Sequence, residues 1–232
     1  MGYGLRVKND SLEIQIDGVY RNFAYSSQDL SETIDNNADA AGDWFEKKAF
    51  TSTSLEPIVI VQPNTDHFIC VDALSMSGSS YVGVYFVTEY GESTTIAYRI
   101  YKAIPTIVGA GYGIRIYDAA GYPVFDSGHR YLKIVSISAI NLANPTYASN
   151  PYTNISHAAI SNPYYFLTQR GWYVNSTSVP SVMNHFKKIG IKKLTSTSVR
   201  VGWFNFYQIV TAMAMTQEGY NPSMKLVVCE NT

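Results

Sequence analysis

Charge is what this chain has least of. Only 15% of its 232 residues are Asp, Glu, Lys or Arg, against about 25% in an average soluble protein. Seventeen basic residues against eighteen acidic ones leave a formal net charge of −1. That argues against a counterion-driven nucleic-acid binder, which needs a basic surplus. Cysteine is scarce as well. Cys70 and Cys229 are too few for a secreted disulfide framework or a four-ligand zinc site, and leave room for one disulfide at most. Each sits in an apolar run, Phe68-Ile69-Cys70-Val71 and Leu226-Val227-Val228-Cys229, and reads as a small buried hydrophobe. No apolar stretch approaches the ~18 residues of a spanning helix, so no membrane insertion is expected. The opening Met1-Gly2-Tyr3-Gly4-Leu5-Arg6 has no signal-peptide core and puts Arg6 where myristoylation wants Ser or Thr. Synthesis in the cytoplasm is expected.

Recognisable catalytic machinery is also missing. Gly109-Ala110-Gly111-Tyr112-Gly113 is followed by a strand and a turn, so no helix N-terminus presents amides to a phosphate. His67, His129, His157 and His185 occupy four separate segments without ligand spacing, and no metal or cofactor is expected. There is no nucleophile elbow. The carboxylates Asp17 and Asp126 stand four residues before Arg21 and Arg130 and read as turn caps with structural ion pairs. Lys187-Lys188-Ile189-Gly190-Ile191-Lys192-Lys193 reads as a solvated turn, with a patch for an anionic partner as the alternative.

What the chain does have is an apolar content of 46%, 19 tyrosines and an internal repeat. Residues 2–23 and 111–132 align without a gap at an offset of 109. Gly4/Gly113, Arg6/Arg115, Asp17/Asp126 and Arg21/Arg130 are among the identities. In the second copy Ile114-Arg115-Ile116-Tyr117 alternates as a half-buried strand should. Asp118-Ala119-Ala120-Gly121 supplies a turn with Gly121 free to take positive φ, and Tyr122-Pro123-Val124-Phe125 returns. The unit is a β-hairpin feeding a third strand.

Further strands are expected at 57–61, 67–71, 81–87, 94–101, 198–206 and 224–228, with 81–87 and 94–101 forming a hairpin across Glu89-Tyr90-Gly91-Glu92. Short helices fit only Ala38–Lys48 and Val182–Lys188. The fold class is therefore all-β with little helix, arranged as two β-sandwich-like domains, 1–103 and 104–232, each opening with a related hairpin. Residues 141–165 lack periodicity and read as a long surface loop. Its repeated Asn-Pro steps are followed by Tyr147, Tyr152, Tyr164 and Tyr165, rigid amphipathic contacts suited to sugar rings or a protein partner. The bland alternative is that these rings pack down onto the sandwich.

The two hairpins, Gly2-Tyr3-Gly4-Leu5-Arg6-Val7 and Gly113 through Ser127 followed by Arg130-Tyr131-Leu132, resemble the small tail-associated proteins of tailed bacteriophages and prophages. Members of that family open with Tyr-Gly-Leu and a short alternating strand. They carry a second hairpin ending in Phe-Asp-Ser and followed by an Arg-Tyr strand. The likeness covers the hairpins, thins over 57–101, and beyond 141 is only a matter of strand-rich style. It implies a non-enzymatic virion structural protein at the tail tip or tail fibre, made in the host cytoplasm. Its partners would be other tail proteins, further copies of itself (a trimer by preference), and a host-surface glycan or outer-membrane receptor. Competing readings are a capsid decoration protein, a carbohydrate-binding module using the four tyrosines, and a glycan-cleaving enzyme with Asp126 or Glu89 as its acid.

Overall fold

A computed structural model describes residues 6–8, 14–17, 23–25, 30–36, 45–103, 113–118, 120–121, 123–127, 131–146, 148–177, 182–211, 218–221 and 223–230. All regular structure among them is strand. The first half contributes β1 (Arg6–Lys8), β2 (Ile14–Asp17), β3 (Phe23–Tyr25), β4 (Leu30–Asp35), β5 (Glu46–Thr53), β6 (Ile58–Gln62), β7 (Ile69–Ser77), β8 (Ser80–Thr88) and β9 (Ser93–Ala103). The second contributes β10 (Arg115–Tyr117), β11 (Pro123–Asp126), β12 (Lys133–Ile140), β13 (Tyr152–Ser156), β14 (Tyr164–Leu167), β15 (Trp172–Thr177), β16 (Val182–Thr195), β17 (Ser198–Thr211), β18 (Glu218–Tyr220) and β19 (Met224–Glu230).

Two antiparallel sheets carry the architecture, and their strand orders mirror each other about the middle. The seven-stranded sheet runs β12-β19-β14-β6-β9-β3, with β4 continuing along β9. The eight-stranded sheet runs β13-β17-β16-β7-β8-β5, with β15 on β16 and β18 on β15. Each half thus repeats one plan. The pairings β3/β4 with β9, β9 with β6, β5 with β8 and β8 with β7 correspond to β12 with β19, β19 with β14, β13 with β17 and β17 with β16. The duplication visible in the hairpins therefore extends through both lobes. Strands β15 and β18 are additions of the second half.

The hairpins agree in register. In β1–β2 the pairs are Arg6↔Asp17, Val7↔Ile16 and Lys8↔Ile14, with a bulge after Val7. In β10–β11 they are Arg115↔Asp126, Ile116↔Phe125 and Tyr117↔Pro123, with the bulge after Ile116, the same position at the 109-residue offset. Gly121 takes φ 82°, and its amide closes the turn onto the Asp118 carbonyl at 3.0 Å. Gly113 lies against Ser127, whose Oγ accepts from the Ile114 amide at 2.9 Å. The ionic partner of Asp126 is Arg115, Nε to Oδ2 3.2 Å. The assigned partner Arg130 lies outside the described residues, as do Gly4 and Arg21.

Each lobe buries its own core between the sheets, Ile34, Val59, Val84, Phe86, Ile96 and Tyr98 in the first and Ile140, Tyr165, Ile189, Val201, Trp203 and Leu226 in the second. Two further clusters draw on both halves. Ile60, Tyr101, Tyr164, Val227 and Cys229 form one; Phe68, Cys70, Val87, Phe204 and Phe206 form the other. Since side chains alternate along a strand, β9 serves one core with Ile96, Tyr98 and Ile100 and the other with Tyr101, which accounts for its unbroken burial from Tyr98 to Ala103.

Three expectations give way. Val182–Lys188, read as a helix, is the start of a 14-residue strand held on one edge by β17 and on the other by β15. Tertiary pairing on both sides outweighs the local helical spacing. Residues 46–48 of the other expected helix begin β5; 38–44 lie outside the described residues. The turn at Glu89–Glu92 is real, with Gly91 at φ 75°, but β8 and β9 belong to different sheets, so it is an arch and no hairpin. Asn36 anchors that arch: its amide donates to Glu92 O and its carbonyl accepts from Gly91 N. Its buried side chain donates to Thr88 O at 2.7 Å and Phe206 O at 2.8 Å.

Candidate functional site

Where the sheets cross from one lobe to the other, neighbouring strands pair at one residue pair in each, Val61↔Tyr165 between β6 and β14 and Ile69↔Ile191 between β7 and β16, and an isolated bridge joins Ala24 of β3 to Tyr131 ahead of β12. The second contact is close because Gly190 has no side chain: a Cβ there would stand 2.7 Å from the Ile69 carbonyl oxygen. Beyond these pairs the ladders stop and the strands diverge. The wedge they leave is a cleft of about 640 Å³, within the usual range for small-molecule sites. Val61, Ile69, Val71, Leu74, Leu167 and Ile189 are among its walls, and Glu56, Gln169, Arg170 and Tyr220 stand at its polar end. The Tyr220 hydroxyl donates to Gln169 Oε1 at 3.2 Å. Cys70 also lines the cleft. Its thiol is pushed up to about 12 by burial and by the Asp72 charge, with Lys188 and Arg170 acting the other way. Cys70 and Cys229 are both free thiols, and burial likewise holds Cys229 at about 12. Neither is a nucleophile at neutral pH.

Of the three described tyrosines of the expected binding loop, two are buried. Segment 141–165 is interrupted by β13 and ends in β14. Tyr164 is 3% and Tyr165 0% exposed, so these rings pack down onto the sheets. The Tyr165 hydroxyl meets His157 Nε2 at 2.7 Å, while His157 Nδ1 lies 2.8 Å from the Ala158 carbonyl. A carbonyl only accepts, so Nδ1 carries a proton; on a neutral ring Nε2 accepts from Tyr165. Tyr164 lies under the Arg99 guanidinium at 4.9 Å. Among the described ones only Tyr152 lies outside, 55% exposed, with the Arg200 guanidinium 3.8 Å from its ring centre. Tyr147 lies outside the described residues.

The lysine run is no solvated turn either, for it lies within β16. Lys187 is fully buried, and its ammonium donates to Thr146 O at 2.7 Å and Asn150 Oδ1 at 2.6 Å. Burial lowers it to about 8. Lys188 pairs with Asp72, and Lys192 donates to Asp66 O at 2.6 Å. The sequence shows four lysines in seven residues; the fold commits three of them to internal contacts.

The two candidate acids are engaged away from the cleft. Asp126 is buried beside Arg115, and Glu89 Oε2 lies 2.9 Å from His67 Nδ1 and 3.3 Å from the Phe68 amide. Glu92 meets the other nitrogen of the same ring at 3.6 Å, so the three groups do not converge on a point. Among the described residues no group of three His, Cys, Asp or Glu side chains is placed to hold a metal ion, and no helix is long and apolar enough to cross a membrane. No protein-family model, curated protein or solved structure matches the chain. Its own residues carry the functional reading.

Proposed function

We propose that this chain is a non-enzymatic structural component of a tailed-phage virion, seated at the tail tip or tail fibre and assembled with tail proteins and further copies of itself. The observation that carries the reading is an asymmetry between equivalent sheet edges. In the first half the outermost strands β4 and β5 carry Glu32 and Asp35, and Glu46, Lys47 and Lys48, while the short uncharged β3 is bridged through Ala24 to Tyr131. In the second half β12 beyond Lys133 and the whole of β13 carry no charge. Charged edges resist strand addition and bare ones invite it. Ile134 and Ile137 on β12 and Tyr152 on β13 are also exposed. A chain that protects one end and leaves the other bare is suited to docking in one direction. The phage assignment itself comes from the hairpin resemblance.

Two measurements test it. Labelled antibody on purified particles is expected to mark the tail; a label on the head supports the decoration reading, and unlabelled particles exclude a virion role. Light scattering is expected to give an oligomer, with a trimer as the leading state. Ile137→Lys with Thr153→Lys, which copies the charged edges of the first half, lowers the mass. A monomer at every concentration overturns the assembly reading.

A further inference from the structure

The strands that the second lobe adds to the shared plan, β15 and β18, carry a pair of aromatic side chains that the cores do not use. Trp172 and Tyr220 stand directly opposite each other in the β15–β18 ladder, so both project from one face with Cβ atoms about 5 Å apart. They are 41% and 52% exposed. The other face of the same ladder is fixed in the protein. Tyr173, opposite Gly219, packs edge-on to Trp203 of the second core and fills the space that a Cβ on Gly219 would need. The outer rings therefore sit on a rigid base.

Three exposed amides continue from the aromatic pair. Gln169 Oε1 accepts from the Tyr220 hydroxyl at 3.2 Å, Asn144 Oδ1 from Asn221 Nδ2 at 2.9 Å, and Asn141 Oδ1 from Ser223 Oγ at 3.2 Å. In each the oxygen is engaged and the NH2 group has no partner among the described residues. The strip so formed holds no charged side chain. Arg170 and Glu56, which line the cleft beside Gln169 and Tyr220, are one of each sign. Aromatic faces next to neutral N–H donors match a ligand with C–H faces to stack and hydroxyl oxygens to accept. An apolar protein surface laid here would leave the amides unpaired, and a polynucleotide would need cations along its phosphates.

We propose that this strip binds an uncharged glycan, with pyranose rings stacked on Trp172 and Tyr220 and ring hydroxyls accepting from Gln169, Asn144 and Asn141. It is a different surface from the four tyrosines of segment 141–165. Hydrogen bonds within the protein already hold the amides, so little side-chain freedom is lost when the sugar arrives. The site is independent of the virion reading. A tail-located protein that binds no sugar refutes the glycan site alone, and a sugar-binding protein missing from the particle refutes the virion reading alone.

Isothermal titration against cellohexaose, maltohexaose and chitohexaose is expected to show saturable binding of at least one. Raising NaCl from about 0.05 M to about 0.5 M changes that affinity by less than about twofold, since no ion pair is there to be screened. Trp172→Ala and Tyr220→Ala each weaken it at least about tenfold. Gln169→Ala weakens it less, Trp172→Phe keeps a ring and retains part of it, and Tyr152→Ala on β13 leaves it as in the wild type. Circular dichroism and light scattering check the folding and mass of each variant. Absence of saturable binding to all three sugars, loss of binding as salt rises, or binding unchanged in folded Trp172→Ala would each overturn the proposal. A wild type that binds none of them while Trp172→Ala lowers the oligomer mass would assign the face to a second copy of the chain and overturn it as well.

Discussion

The two lobes share a strand plan and differ in what surrounds it. The first lobe is the minimal version: six strand positions, charged outer edges, and an arch tied down by Asn36. The second adds β15 and β18, leaves β12 beyond Lys133 and β13 uncharged, and buries a lysine under the segment that leads to β13. The shared plan is what the sheet interior requires, since each lobe needs paired strands around one aromatic-rich core. The differences lie where the interior makes no demand, at the edges and connections. A duplicated scaffold can keep its packing in both copies while one copy changes its surface.

The sharpest way to break this comparison is to ask whether the lobes unfold together. Trp203 and Phe86 fill the second and first cores on the same sheet. Trp203→Ala and Phe86→Ala are each expected to cost ~3–5 kcal/mol in urea unfolding. A single transition in both variants marks one cooperative unit; two separated transitions would show lobes that fold alone. Asn36→Ala comes next. It removes two donors that tie Thr88 of one lobe to Phe206 of the other and leaves buried carbonyls unpaired, an expected loss of ~1–3 kcal/mol. A loss below about 0.5 kcal/mol would mean the lobes do not need this tie.

Lys187 separates the lobes by pH. Its amine is lowered from 10.5 to about 8 by burial. Between pH 8 and 10.5 the unfolded chain therefore binds a proton that the native state has released, and stability rises with pH across that window. The increment is expected to be about 1–3 kcal/mol, discounted for the exposed segment that supplies its acceptors. Lys187→Met should lack this rise, compared with wild type by denaturant titration from pH 7 to 10.5. An identical slope in both proteins would exclude Lys187 as the source. Gly190→Ala tests the seam itself. The added Cβ stands 2.7 Å from both the Ile69 oxygen and the Phe204 ring, with an expected cost of ~1–3 kcal/mol. Smallest of all is Arg200→Ala under the exposed Tyr152, about 0.5–1 kcal/mol, since surface cation–π contacts are weak.

Much of this was legible in one dimension. Period-two alternation, turn glycines and the offset of 109 disclosed the strands and the hairpins, and Cys70 and Cys229 announced their burial by the runs they sit in. Those signals are local, set by backbone geometry and by the side chains next in line. The long β16 was misleading for the same reason: seven residues with helical spacing say nothing about the strands waiting on either edge.

Partnership across the chain was decided only by the folded molecule. Nothing near Lys187 in sequence announces Thr146 and Asn150 as its acceptors, and nothing near Tyr164 and Tyr165 separates a loop tyrosine from a core one. Which edges meet at the seam, and hence that a cleft opens between Val61↔Tyr165 and Ile69↔Ile191, depends on how two similar lobes settle against each other. That arrangement is fixed by apolar burial and close packing summed over residues a hundred positions apart. A one-dimensional pattern records which residues seek the interior; the three-dimensional packing chooses the neighbours they find there.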